Sequence, residues 1–184
     1  MNEVLKAIAE RNSCRDFAAT PLTDEQVKAI SGAALAAPSA RNIMPWHIII
    51  ITDKKLIDEL DEEGMGLLAA DEDKTVYDRM MSRGGKLLYN APCLVIVTSD
   101  GSAYAGIDSG ILCQTVTLAA QSLGLATCIV GMAGVPLNGP RGGEFTKRLK
   151  FPDGHKFTIG VLIGAANSGK EPHEPDTGKI TYIS

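Results

Sequence analysis

A chain of 184 residues with 45% hydrophobic and 22% charged residues has the length and composition of one globular domain with a proper core. Its formal net charge of −4 excludes a general polyanion binder, so any anion site must come from a local cluster of basic residues, and no nucleic-acid partner is expected. Glu3, Lys6 and Glu10 interrupt the start of the chain before an apolar signal segment forms. Residues 105–130 carry Asp108, Gln114 and Gln121, so no membrane span is expected. Cys14, Cys93, Cys113 and Cys128 are widely spaced, with no Cys-x-x-Cys, and read as reduced core residues of a cytoplasmic protein. His47, His155 and His173 share no ligand spacing, so no metal is expected.

In chain order, Val4, Leu5 and Ile8 give residues 2–11 one apolar helical face. The helix stops at Arg11-Asn12-Ser13-Cys14-Arg15. Two arginines four apart with a serine between them suit a phosphate plus a second negative centre; the alternative is a pair of solvated surface arginines. Thr23-Asp24-Glu25-Gln26 is a capping box, and Val27, Ile30 and Ala34 carry that helix to Ala37. Residues 36–47 then connect it to a strand over 46–52. Pro38 and Pro45 bracket the connector, and between them stand Ser39, Ala40, Arg41 and Asn42. An Asn amide offers donors and an acceptor in one plane, which suits the edge of a planar heterocycle; an ordinary helix-to-strand turn is the other reading. Ile48 to Ile51 are apolar at every position, which predicts burial on both strand faces.

Residues 53–62 read as a surface helix. Residues 64–90, punctuated by Gly64, Gly66, Gly84 and Gly85, read as helical pieces in an excursion over the core, either packed or forming a substrate-facing lid. A strand over 93–98 precedes a helix over 104–123. That helix has Ile107, Ile111, Leu118 and Ala119 on one side and little charge on the other, so it is expected to be central and buried. After a third strand over 125–130, Gly131-Met132-Ala133-Gly134 lets backbone approach a ligand. A turn over 139–143, a short basic helix over 144–150 and a strand over 156–163 follow. Residues 165–184 are expected to be an extended arm laid across a partner subunit.

Gly164 to Lys170 matches a phosphate-binding loop, but Glu171 stands where Ser or Thr would hold magnesium. Pro172 and Pro175 leave no helix to cradle phosphates, so Lys170 is left as a lone cation. No Gly-x-Ser-x-Gly elbow is present, and no Gly-x-Gly-x-x-Gly follows a strand.

Five short motifs stand in order: Arg11-x-Ser13-x-Arg15; Ala37-Pro38-Ser39-Ala40-Arg41-Asn42-x-x-Pro45-Trp46; Asn90-Ala91-Pro92; Leu118-Ala119-Ala120 through Leu123-Gly124-Leu125; and Gly160 with Gly164. Together they resemble the nitroreductase family of FMN-dependent NAD(P)H oxidoreductases over nearly the whole chain. The resemblance implies an α+β fold, with a central, mostly antiparallel sheet flanked by helices, in an intertwined homodimer with two FMN molecules at the subunit interface. It implies that Arg11, Asn12 and Ser13 belong to the FMN phosphate site and that Arg15 sits near N1/O2 of the ring. Pro38, Ser39, Ala40 and Asn42 would come from the neighbouring subunit, Gly131 and Met132 would offer backbone near N5, and Lys170 would add to the phosphate site. NAD(P)H would be the transient electron donor, and a nitroaromatic, quinone or related small molecule the acceptor, in a ping-pong cycle. Met44 stands where some members have Gln, and Gly131 where some have an acidic residue.

A fixed guanidinium at Arg15 would stabilise the negative charge gained by the ring on reduction, without reorganisation. The chain's own contribution is then positioning and electrostatics, which accounts for the lack of an evident acid–base pair. Two alternatives remain at the level of sequence. One is a flavin-binding protein with little turnover, in FMN storage or sensing; the other is an interaction protein that merely retains the fold.

Overall fold

The apolar run Cys93–Ser99 forms a strand whose seven residues are all buried, which in an antiparallel sheet requires helices on both faces. The computed structural model describes residues 2–169 and 174–183. Its sheet contains β1 (Trp46–Ile51), β2 (Cys93–Ser99), β3 (Ala126–Val130) and β4 (Lys156–Gly164), in the order β1-β2-β4-β3. Every neighbouring pair is antiparallel. Side chains alternate between two cores. Leu94, Ile96 and Leu162 enter the first, which is closed by α3 (Lys54–Ala70), α4 (Thr75–Met81), α6 (Gly134–Asn138) and α7 (Gly142–Arg148) through Ile57, Leu60, Met80, Leu137 and Phe145. Val95, Val97, Val161 and Ile163 enter the second, which is closed by α2 (Asp24–Leu35) and α5 (Ala105–Ser122) through Ile30, Ala34, Leu112 and Val116. Each such side chain contributes about 1.5–3 kcal/mol by leaving water. The architecture is the expected α+β one.

The capping box is present: Thr23 N–H donates to Gln26 Oε1 at 2.9 Å, and Gln26 N–H donates to Thr23 Oγ1 at 3.2 Å. Other expectations need correction. Strand β1 is not buried on both faces. It lies at a sheet edge, His47 is exposed and Ile48 to Ile50 are half-buried. Helix α5 is buried on one side only, through Leu112, Cys113, Val116 and Ala120, while Ile107 is 64% exposed. Both its faces are low in charge, so the pattern did not tell core side from outer side.

Gly64 and Gly66 are not punctuation either. They lie inside α3, which runs on from its Asp53 cap. A Cβ on Gly64 would stand 2.3 Å from Leu87 Cδ2, so glycine lets the segment after α4 lie against the helix. Asp61, nearly fully buried on the same helix, accepts from Leu88 N–H at 2.6 Å. Leu87, Leu88 and Tyr89 are thereby held in the first core.

The four cysteines are free and buried, and desolvation pushes the Cys93 and Cys113 thiols up to about 12. Residues 174–183 are exposed throughout, with a short turn of helix at Thr177–Lys179. Among the described residues, no helix is long and apolar enough to cross a membrane, and no cluster of three His, Cys, Asp or Glu could hold a metal ion.

On the outer surface of the first core, Glu59 pairs with Arg141 at 2.8 Å and Arg148 at 2.9 Å. Arg141 also meets Glu63 at 3.2 Å and Glu144 at 2.9 Å, and lies 4.9 Å from the Phe145 ring centre. Hydrogen bonds from Arg148 first and Arg141 second hold the Glu59 carboxyl at about 2, below its ordinary 4.5. A carboxyl with a depressed folded-state value stabilises the fold above its unfolded value and loses that effect as pH falls through the folded one. The stabilising effect of Glu59 is therefore expected to be complete above about pH 4.5 and to disappear as pH falls through about 2. Urea midpoints of the wild type and Glu59→Gln should converge over that window. High salt should shrink the gap at every pH, because the pairs are exposed.

Candidate functional site

Residues 12–18 run beside β3 and are fastened at several points. Ser13 makes a parallel bridge to Thr127, and Cys14 N–H donates to Thr127 O at 2.8 Å. Ala18 N–H donates to Ala165 O at 2.8 Å. Asn167 donates twice to Asp16: its backbone N–H to Asp16 O at 3.1 Å and its Nδ2 to Asp16 Oδ1 at 2.7 Å. Phe17, 1% exposed, is the apolar anchor, and a Cβ on Gly164 would come 3.1 Å from its ring and 2.6 Å from Pro92. The absent side chain at Gly164 thus lets this segment reach the sheet.

The result is a cavity of about 740 Å³. Its walls are Asn12 to Asp16, the start of β3 from Gly124 to Ala126, and the turn after β4 through Ser168 and Gly169; Glu10, Gln121 and Arg83 complete it. That volume is in the range of small-molecule and cofactor sites, roughly 300–1,000 Å³. Neither Arg11 at the end of α1 (Glu3–Glu10), nor Arg15, nor Arg83 forms an ion pair with a described residue. The donor set is a hydroxyl, an amide, guanidinium groups and backbone, and it fits a phosphate group. Burial pushes up the Cys14 thiol in the same wall, so it does not act as an anion there.

Arg11 directly precedes the lining residues without being one of them, and the other expected site residues stand elsewhere in the chain. Gly131 lines a second hollow, of about 660 Å³, with Leu67, Asp71 and Phe157, and Met132 packs against the first core. Gly131 follows β3, four residues beyond the Thr127 bridge, or about 13 Å along the strand. Pro38, Ser39, Ala40 and Asn42 precede β1, at the opposite edge of the sheet, and none of them lines the 740 Å³ cavity. Two strands intervene between β1 and β3, a separation of about 14 Å. Lys170 lies outside the described residues.

The connector before β1 is strained. Arg41, Asn42 and Met44 have φ of 54°, 56° and 49°, in the left-handed region that side chains other than Asn rarely adopt. Ser39 Oγ accepts from Met44 N–H at 2.9 Å, and Ala40 N–H donates to Asp108 Oδ1 at 3.1 Å. Asp108, 2% exposed, leaves its other oxygen without a partner among the described residues. Backbone strain of this kind, about 1–3 kcal/mol per residue, gathers at functional segments.

The sequence reading did not anticipate Asp108 or Arg83. Asp108 gives no local signal, because its partner is 68 residues away. Arg83 stands directly before Gly84-Gly85, which could have marked a turn presenting a cation.

A helix-flanked antiparallel sheet, with a cavity lined by arginine, serine and asparagine beside its terminal strand and a strained polar connector at the other edge, defines an α+β protein. The chain belongs to the nitroreductase family, whose model matches residues 8–164. A crystal structure of a nitroreductase with bound FMN from Desulfitobacterium hafniense DCB-2 is 49% identical, with full coverage of both chains and a TM-score of 0.96. A nitroreductase with bound FMN from Bacteroides fragilis NCTC 9343 is 29% identical, again over the whole of both chains, with a TM-score of 0.90. The FMN reductase [NAD(P)H] of Bacillus subtilis (strain 168) is 29% identical over 197 aligned positions, covering 100% of this chain and 76% of that protein.

Proposed function

We propose that the chain is an FMN-dependent oxidoreductase that takes electrons from NAD(P)H and delivers them in a two-electron, ping-pong cycle to a nitroaromatic, quinone or related acceptor. The observation that carries this reading is the cavity in which Ser13, Arg15 and Asn12 meet beside β3, in a chain 49% identical to an FMN-bound nitroreductase. When bound, FMN supplies the hydride chemistry. Arg11, Asn12 and Ser13 hold its phosphate. Arg15 holds a fixed positive charge beside the N1/O2 edge of the ring, where its guanidinium favours the reduced form. Backbone at Gly131 and Met132, about 13 Å along β3 from the Thr127 bridge, would meet the N5 side, and the two sets of residues suit an elongated ligand with one anionic end.

Pro38, Ser39, Ala40 and Asn42 contact the same flavin from a second copy of the chain, which accords with their place at the far edge of the sheet. Val4, Leu5 and Ile8 on α1, Ile107 and Ile111 on α5, and Ile43 in the connector are large apolar side chains exposed in one chain, and they suit a homodimer interface. Residues 174–183, with Ile180, Tyr182 and Ile183 exposed, lie across that partner.

The test is an absorbance spectrum of purified, desalted protein before and after anaerobic addition of NADH or NADPH. Flavin bands that bleach are expected. Bands that persist would favour a flavin-storage or sensing protein, and a colourless protein that takes up no added FMN would overturn the reading.

A further inference from the structure

Of the motif residues Arg11, Ser13 and Arg15, the last two line the cavity beside β3, and the cavity has another cation. Arg83 lies in its wall, brought there from 70 residues away by the turn that ends α4. That turn is well defined. Arg83 N–H and Gly85 N–H both donate to Met80 O at 3.0 Å, and Gly84 and Gly85 take φ of +96° and +68°. Glycine is what allows these positive angles, so the reversal that presents Arg83 is written into the sequence.

Charge partners decide whether such an arginine is spare. Arg141 and Arg148 are engaged by Glu59, Glu63 and Glu144. Arg83 has no such partner among the described residues. Two carboxylates share its cavity and neither pairs with Arg83: Asp16 accepts from Asn167 Nδ2 at 2.7 Å, and Glu10 lies 3.8 Å from Lys6. Two guanidinium groups without ion-pair partners among the described residues, lining one cavity of ligand size together with a hydroxyl, are a donor set for a dianionic group.

We infer that Arg83 is a binding residue for a phosphate monoester in the cavity it shares with Ser13 and Arg15. Two sources share that chemistry, the 5′-phosphate of FMN and the 2′-phosphate of NADPH. The inference rests on the flavoenzyme reading above, and one set of measurements separates failure of the two. Apoprotein of the wild type and of Arg83→Ala is titrated with FMN, with riboflavin and with inorganic phosphate, and the reconstituted enzymes are compared with NADPH and NADH.

If Arg83 holds the FMN phosphate, Arg83→Ala weakens FMN binding about 10-fold or more, leaves riboflavin binding unchanged and weakens inorganic phosphate. If it holds the NADPH phosphate, FMN binding is unchanged, kcat/KM for NADPH falls by about the same factor, and NADH is unaffected. Either result supports the inference. Equal losses for FMN and riboflavin would mean a damaged fold, and Arg83→Gln, which keeps most of the side chain and removes the charge, then decides: a loss for FMN or NADPH without a loss for riboflavin or NADH is expected. Unchanged FMN, NADPH and phosphate behaviour, or equal losses for FMN and riboflavin in Arg83→Gln as well, would overturn it. A wild type that takes up neither flavin refutes the flavoenzyme reading, and the inorganic phosphate titration then decides on Arg83 alone.

Discussion

Replacing Arg15 with alanine is expected to slow reduction of the bound flavin by NAD(P)H by on the order of 100-fold, the usual effect of deleting one preorganised electrostatic donor. Arg15 is exposed in the cavity wall and has no ion-pair partner among the described residues, so its charge is not neutralised by the protein. The segment that carries it is fixed to β3 through Cys14 and to the turn after β4 through Asp16. The backbone that presents the guanidinium therefore does not have to move when negative charge arises beside it. The flavin potential should move in the negative direction in Arg15→Ala. Arg15→Lys should fall between the two, since it keeps the charge and loses the planar fork. Stopped-flow reduction under anaerobic conditions reads the rate, and equilibration with a reference dye reads the potential. If both match the wild type, Arg15 has no electrostatic role.

The second large effect is structural. Gly142→Ala would place a Cβ 2.1 Å from the carbonyl oxygen and 2.7 Å from the carbonyl carbon of Leu137. Those are backbone atoms, so no rotamer change relieves the clash, and the corner between α6 and α7 has to open. Leu137 and Phe145, both buried in the first core, sit on either side of it. A loss of about 3 kcal/mol is expected, at the top of the usual overpacking range, or roughly 6–12 °C in Tm for a chain of this size. The neighbouring Gly143 is an internal control. Nothing lies within 4 Å of a Cβ there, so Gly143→Ala in the same helix should be neutral or stabilising by about 0.5–1 kcal/mol. Thermal unfolding of the two variants side by side tests the distinction, and equal behaviour would count against it.

Local rules were readable wherever one residue type answers to one backbone need. Thr23 and Gln26 form their box, and the strand from Cys93 and the helix ended by Gly124 fall within a residue or two of expectation. Gly64 and Gly66 misled because glycine in a helix looks like a break until its neighbour is known. For Gly64 that neighbour is Leu87, 23 positions later in the chain, while nothing lies within 4 Å of a Cβ at Gly66. The short helix Gly134–Asn138 contains Pro136 and has only five residues, too few for a periodic signal. Which face of α5 is inside was hidden by Ile107 and Ile111, apolar residues on the outer side. At the site, the Arg-x-Ser-x-Arg motif led to the cavity beside β3, because its parts are adjacent in sequence. Arg83 and Asp108 reach their places through tertiary contacts, and no local pattern announces them.

The burial of all four thiols has a practical consequence. Desolvation pushes the Cys93 and Cys113 thiols up to about 12, so they stay protonated at neutral pH, and with 1% and 0% exposure they are closed to reagents in the folded state. Alkylation of the native protein therefore reports the rate or population of opening, not the reactivity of sulfur. The probes are already distributed usefully: Cys93 in the central strand, Cys113 on α5, and Cys128 on β3 beside the cavity. Mass spectrometry of the labelled chain would follow three regions at once, with no engineered residue, and would separate loosening around the cavity from loss of the sheet.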